Sequence, residues 1–292
     1  MYTQFFGNYL LSKGYITNDQ LFEALQEKSQ KHTKLGTLAI HSGLMTAAEV
    51  DAVIVEQTHQ DKKFGELTIE MGYLTDEQVK NLLNIQSPDF LLLGQILLDN
   101  GIIDNTTLEK IINDYRGENE ISDLDMVFED KESVEHLIGH FFASAGVDPS
   151  DLDKMYLELL FNSFIRFVGD DFTPLSAEPC EEFCADCCVK QNISGEYAIS
   201  TYIGMNQATA INFASRYVKE AFSVYDEYVQ ASLEDFLNLN NGLFTVNCSN
   251  EKALELSLSA PEHFDGEQLT LTNAYKIKVL YPFGTVHFII AF

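Results

Sequence analysis

The chain predicts an α/β multidomain protein in three stretches. Residues 1–116 read as an all-α helical repeat domain and 117–153 as an acidic linker carrying a helix. Residues 154–292 read as an α/β domain with a largely antiparallel sheet and long helices. Three observations predict this. Glycines recur at a strict 29-residue interval in the first stretch, and acidic residues crowd the second. In the third, strand-like segments alternate with long helical ones.

A chain of 292 residues is long enough for two domains that each bury a core, and 46% hydrophobic with 12% aromatic residues argues for folded structure. The net charge of -27 repels phosphate backbones and anionic membrane surfaces, so neither nucleic acid binding nor membrane insertion is expected. No apolar run approaches the roughly 20 residues that cross a bilayer. Met1-Tyr2-Thr3-Gln4 lacks the basic start and apolar core of a signal peptide. The 5 cysteines are odd in number and all but Cys248 crowd into Cys180–Cys188, which is no disulfide framework. Together these features predict a cytoplasmic protein.

Gly7, Gly36, Gly65 and Gly94 fall 29 residues apart, and Gly14, Gly43, Gly72 and Gly101 follow each by seven. Apolar positions keep the same register: Leu21, Val50, Val79 and Leu108 open a stripe continued by Leu25, Ile54, Leu83 and Ile112. Four copies of one unit are expected, each a pair of short helices. The first helix ends at the second glycine, where a left-handed residue is needed. Thr17, Thr46, Thr75 or Asp104 then caps the second, with Gln20, Glu49 and Gln78 at capping-box spacing in the first three copies. One unit cannot bury its apolar face alone, so neighbours stack.

These spacings resemble the MshEN domain found at the N-terminus of type II secretion and type IV pilus assembly ATPases. The copies Lys34–Gln57 and Lys63–Gln86 carry the match. The resemblance implies that paired motifs bind cyclic di-GMP, with Lys34, Leu35, Gly36, Gly43, Lys63, Phe64, Gly65 and Gly72 as the ligand-binding candidates. The family's leading arginine is replaced in the four copies by Phe5, Lys34, Lys63 and Leu92. Lysine lacks the planar fork that pairs with guanine and phosphate. The expected role is therefore a docking or spacing module, with cyclic di-GMP binding as the alternative.

From Gly117 to Asp153 there are eleven acidic residues and one lysine, Lys131, with an apolar helix candidate around Val134–Phe142. Such a run reads as a solvated tether. His136 and His140 stand at i, i+4 spacing but lack a third ligand in the pattern, so exposed helix histidines are expected.

Beyond Met155 a helix is expected over Tyr156–Val168. Strands are expected over Cys187–Gln191, Tyr197–Ile203 and Gln207–Ile211, and a long helical stretch from Phe213 to about Asn240. Further strands are expected around Leu243–Val246, Ala253–Leu258, Tyr275–Tyr281 and Val286–Ile290, the last two joined by a turn at Pro282–Gly284. On the Ala231–Gly242 segment, Ala231, Asp235, Asn238 and Gly242 share one helical face, while Val229, Leu233, Phe236 and Leu237 form a face suited to burial.

The order of features is similar to the CheX family of chemotaxis phosphatases, related to CheC and FliY. The resemblance is carried by Tyr202-Ile203-Gly204 at a strand end, Asp235-x-x-Asn238 with Gly242 four residues on, Leu258-Ser259-Ala260-Pro261 followed by Gly266, and the closing strands from Tyr281. It implies an enzyme that removes phosphate from the aspartate of a CheY-type response regulator. It further implies Asn238 positioning the attacking water, Asp235 meeting a regulator lysine, and a homodimer. Magnesium would sit on the regulator, and no resident cofactor is implied. Asp235 stands where the family has glutamate, one methylene longer. Glu158 and Asn162 are spaced by four and make no second copy of the motif. The rival reading is a non-catalytic signalling adaptor.

Cys180, Cys184, Cys187 and Cys188 supply enough thiolates for a metal. Adjacent Cys187 and Cys188 instead fit a strand, whose neighbouring side chains point to opposite faces, so no metal site is expected.

Overall fold

Helix pairs, a main antiparallel sheet and a small two-stranded one account for the architecture of the computed structural model, which describes residues 1–28, 31–84, 89–119, 131–143 and 149–292. Residues 120–130 and 144–148 of the acidic join therefore lie outside the described residues, as does Gln86 at the end of one repeat motif. Two compact units are present: Met1, Thr3–Asn8 and Asp130–Phe292 form one, and Tyr2 with Tyr9–Glu129 the other.

Before residue 120 the described helices are α1 (Tyr2–Ser12), α2 (Asn18–Glu27), α3 (Leu35–His41), α4 (Ala47–Gln57), α5 (Phe64–Glu70), α6 (Asp76–Asn84), α7 (Asp89–Asp99) and α8 (Asn105–Glu118). Each pair turns at a glycine of the second series; Gly43 and Gly101 have φ of +64° and +67°, a conformation that costs an L side chain about 1 kcal/mol or more. The first series has a different cause. A Cβ on Gly36 would lie 2.9 Å from Val50, and one on Gly94 2.8 Å from Leu108. These glycines let the next helix of the same copy press its branched side chain against backbone. The second helix of each pair starts on a cap: the side chains of Thr17, Thr46 and Asp104 accept from the amides of Gln20, Glu49 and Thr107. Such caps are worth about 1 kcal/mol each.

The other unit contains α9 (Lys131–Ala143), α10 (Asp151–Phe167), α11 (Gln207–Val218) and α12 (Glu227–Asn247). Its strands are β1 (Thr173–Pro179), β2 (Glu182–Phe183), β3 (Cys187–Gly195), β4 (Ile199–Met205), β5 (Leu256–Leu258), β6 (Glu262–His263), β7 (Leu269–Thr270), β8 (Ala274–Tyr281) and β9 (Gly284–Ala291). The main sheet runs β1-β8-β9-β4-β3-β5, with β6 also on β3 and every pair antiparallel. One face carries the aromatic core beneath the helices. Phe164 stacks on Phe236 at 5.2 Å, Phe213 meets Phe236 edge-on at 5.1 Å, and all three are fully buried. Burying each contributes roughly 1.5–3 kcal/mol. The opposite face is covered by a small cap, the β2–β7 pair with Phe264, which packs on Cys188, Tyr202 and Ile289. Gly204 is the point of closest approach, where a Cβ would lie 2.6 Å from the Phe183 ring.

Two expected strands are helical. Gln207–Ile211 opens α11, because Asn206 caps it by accepting from the Thr209 amide 2.8 Å away. Leu243–Val246 continues α12. Only Phe244 of that segment is buried while Leu243 and Val246 are exposed, a helical rather than an alternating pattern. The single helix expected from Phe213 to Asn240 is thus two, broken between Val218 and Glu227 after Lys219 takes a left-handed φ of 62°. The β8–β9 hairpin turns where expected, with Tyr281 opposite Gly284.

Candidate functional site

Helix α12 is capped by Asp226, whose carboxylate accepts from the amides of Tyr228 and Val229. Val229, Leu233, Phe236 and Leu237 are wholly buried, which fixes the rotation of the helix and turns Ala231, Asp235 and Asn238 to solvent. Asp235 and Asn238 therefore sit one turn apart on a helix anchored through its other face.

Each of the two side chains has a dedicated partner. The Tyr217 hydroxyl on α11 donates to Asp235 Oδ2 at 2.6 Å. Burial and the neighbouring carboxylate raise the Tyr217 phenol well above its ordinary range, so it remains a donor at neutral pH. The Asn238 Oδ1 accepts from Gln191 Nε2 at 2.8 Å, and the same nitrogen donates to the Ser259 carbonyl at 2.9 Å. Gln191, on β3, is wholly buried. Ser259 follows β5, and its Oγ accepts from the Asn192 amide at 3.1 Å. Gln191 thus brings together the Asp235-x-x-Asn238 segment and the Ser259-Ala260-Pro261 segment, which are far apart in sequence. It is also the residue that sequence reasoning missed. A lone glutamine in a strand carries no pattern, and the one available signal was a polar residue at an inward-facing strand position.

Behind Gln191 lies a buried polar network. Asn241 Nδ2 donates to Gln191 Oε1 at 2.8 Å and to Thr201 Oγ1 at 2.9 Å. The Tyr156 hydroxyl donates to Asn241 Oδ1 at 2.5 Å and accepts from Asn240 Nδ2 at 3.1 Å, while Ser163 Oγ donates to Asn240 Oδ1 at 2.9 Å. The three amide side chains are fully buried and hydrogen-bonded, the condition under which such a network rigidifies its surroundings.

Beside Asp235 a groove of about 440 Å³ opens between α11 and α12, lined by Tyr217, Val218, Phe222, Tyr228, Ala231 and Asp235. Val218 and Tyr228 are exposed along it, at 42% and 65%. Nearby, Glu234 pairs with His263.

Of the ligand-binding candidates in the repeats, Lys34, Leu35, Gly36 and Phe64 line one cleft of about 650 Å³, with Asp51, Asp99, Asp104 and Gln95 also on its walls. Lys34 Nζ lies 2.7 Å from Asp99 Oδ1, and its backbone amide donates to Gln95 Oε1 at 3.2 Å. Hydrogen bonds and charge from Lys34 outweigh partial burial and hold the Asp99 carboxyl below the usual range. Gly43 and Gly72 are hairpin turns, Lys63 caps α5 (its amide donates to Glu66), and Gly65 packs against Val79. Those four are not among the cleft's lining residues.

The cysteines separate. Cys180 and Cys188 are in the hydrophobic centre of the cap, Cys184 is exposed, and Cys187 lies buried near Tyr225. Burial pushes the Cys187 thiol up to about 11 and the Cys188 thiol up to about 12, which disfavours the thiolate that binds metal. Among the described residues no three His, Cys, Asp or Glu side chains converge as a metal site. His136 and His140 are both exposed on α9. Also among the described residues, no helix is long and apolar enough to cross a membrane.

No family model matches the chain, and no curated protein does. Solved structures of CheC- and CheX-type chemotaxis proteins resemble about half of it. A CheC-like superfamily protein from Shewanella sp. PV-4 is 17% identical, over 49% of this chain and 97% of its own, with a TM-score of 0.42. The chemotaxis protein CheX from Vibrio vulnificus is 14% identical, over 49% of this chain and 99% of its own, with a TM-score of 0.42. The CheX–CheY–BeF3–Mg complex from Borrelia burgdorferi is 17% identical, over 48% of this chain and 97% of that chain, with a TM-score of 0.43. With likenesses this distant, the side chains around Asn238 are what bear on function.

Proposed function

We propose that the sheet-containing unit hydrolyses the aspartyl phosphate of a phosphorylated CheY-type response regulator. Asn238 orients the attacking water and Asp235 meets a cation of the regulator, the lysine implied by the CheX-like motif. Water attacks phosphorus, the bond from phosphorus to the aspartyl oxygen breaks, and inorganic phosphate and a carboxylate leave. Such a reaction asks the protein mainly for positioning, which one rigidly held amide supplies. Magnesium belongs to the regulator, so this chain needs no cofactor of its own. The groove beside Asp235 gives the regulator an apolar shelf, with Tyr228 and Val218 exposed along it.

The observation that carries this reading is Asn238, a carboxamide at the surface yet tied to a buried partner. A merely solvated asparagine has no need of such a tether. The test is to follow phosphate loss from a phosphorylated CheY-type receiver domain with and without the protein. Acceleration is expected, and equal decay rates in the two samples would remove the enzyme reading.

The adaptor reading is favoured by one specific contact, the Tyr217–Asp235 hydrogen bond, which occupies one carboxylate oxygen. It predicts regulator binding without phosphate loss. For the repeat unit we infer docking, not cyclic di-GMP binding. Lys34 is the one basic residue among those lining the cleft, and it is paired with Asp99, while Asp51 and Asp104 add negative charge. A doubly anionic nucleotide meets repulsion there. Calorimetry with cyclic di-GMP is expected to show no heat, and micromolar binding would restore the sensor reading. The homodimer belongs to this proposal too, and sedimentation at two concentrations tests it.

A further inference from the structure

An exposed asparagine ordinarily samples both orientations of its amide, because oxygen and nitrogen find equivalent partners in water. Asn238 is different. Its Oδ1 faces Gln191 Nε2, which can only donate, at 2.8 Å. Gln191 cannot turn over to relax this. Its own Oε1 is claimed by Asn241 Nδ2 at 2.8 Å, and its Nε2 also serves the Ser259 carbonyl at 2.9 Å. The Ser259 carbonyl can only accept, so it fixes the sense of Gln191, and Asn241 completes the set with its Oδ1 accepting from the Tyr156 hydroxyl and its Nδ2 reaching Thr201 Oγ1. The donor and acceptor sense of Gln191 is therefore set by a main-chain carbonyl and passed to Asn238, the amide at the surface.

We propose that Gln191 is a positioning residue that sets the amide sense of Asn238, leaving Nδ2 and the second lone pair of Oδ1 free towards solvent. The inference deepens the phosphatase reading and rests on it for its catalytic consequence. A water that donates to that lone pair has its own oxygen directed away from the helix, towards the bound phosphoryl group. Nδ2 is left to donate to a phosphoryl oxygen as charge develops on it. An amide free to flip would present this arrangement only part of the time.

Two variants of the full chain separate positioning from folding. Gln191→Glu keeps size and the acceptor for Asn241 but, when ionised, loses the donor to Asn238. Gln191→Met removes both. The first readout is independent of activity: the NMR order parameter of the Asn238 side-chain amide. In the unaltered protein it should approach the roughly 0.85 of rigid backbone, and in Gln191→Met fall below about 0.6. The second is turnover of a phosphorylated receiver domain. Both variants should lose roughly 10- to 100-fold in kcat with KM for the regulator within twofold. Gln191→Glu should recover kcat as pH is lowered and its buried carboxyl gains a proton, a profile the unaltered protein lacks.

An Asn238 amide as mobile in the unaltered protein as in Gln191→Met overturns the positioning claim. So does unchanged kcat in folded Gln191→Glu across the pH range. An ordered amide in a protein that never accelerates phosphate loss upholds the positioning and sinks the phosphatase reading alone.

Discussion

The two units differ in how their most regular polar contacts are closed. In the repeats the helix caps join neighbours, Thr17 with Gln20, Thr46 with Glu49, Thr75 with Gln78 and Asp104 with Thr107, each three residues apart, beside longer links such as Thr37 to Gln95. In the sheet unit the buried network joins distant residues, with Tyr156 and Asn241 85 residues apart and Gln191 and Ser259 68 apart. A cap closed within three residues acts on its own helix. A network closed over long separations makes one rigid object, and a surface side chain attached to it inherits that rigidity. This is the physical reason to look for chemistry at Asn238 rather than in the repeat cleft, where Lys34 is exposed and neutralised by Asp99.

Breaking the long-range side should have the largest effect. Asn241→Ala leaves Gln191 Oε1 without its donor and the Tyr156 hydroxyl without its acceptor in the buried network, and should cost about 3 kcal/mol in urea denaturation. A cost under 1 kcal/mol would mean the network is not cooperative.

His287 on β9 offers a second test of buried polarity. Its Nδ1 is buried without a hydrogen-bond partner in the described structure. Burial, helped by Lys276 and Lys278, lowers its pKa from 6.5 to about 4. Between those values the unfolded chain binds a proton that the folded one refuses, so this contribution to stability is present at neutral pH and lost as pH falls. The loss is on the order of 2–3 kcal/mol between pH 7 and 4. His287→Phe should abolish that part of the slope, measured as urea midpoints across the pH range.

The local side should break more gently. Gly101→Ala, at a φ of +67° with open space around its Cβ, should cost about 1 kcal/mol from backbone strain alone. Thr46→Ala removes one cap and should cost roughly 1 kcal/mol or less. The two changes should add in a double mutant of the repeat unit. Strong non-additivity would show that the repeats are less modular than their hydrogen bonds imply.

The same contrast explains what could be read from the residues in advance. Glycine spacing, cap positions and the buried stripe of α12 follow local rules, and the turns at Gly43 and Gly101 and the buried Val229, Leu233, Phe236 and Leu237 obey them. Gln207–Ile211 and Leu243–Val246 were legible only in part, because β-branched and aromatic residues fit a strand as well as a buried helix turn, and tertiary burial decides. Gln191 was legible only as a polar residue at an inward-facing strand position, since its meaning depends on Asn238, Asn241 and Ser259 arriving from other elements. Asp235 and Asn238 were marked by the resemblance to the CheX motif, but their partners Tyr217 and Gln191 were not.

The most direct test of this account is the single-turnover loss of phosphate from a phosphorylated CheY-type receiver domain at saturating protein, comparing the unaltered chain with Asn238→Ala at matched stability. The account predicts acceleration by the unaltered protein and a loss of roughly 100-fold in Asn238→Ala. Identical decay with the two proteins would contradict it.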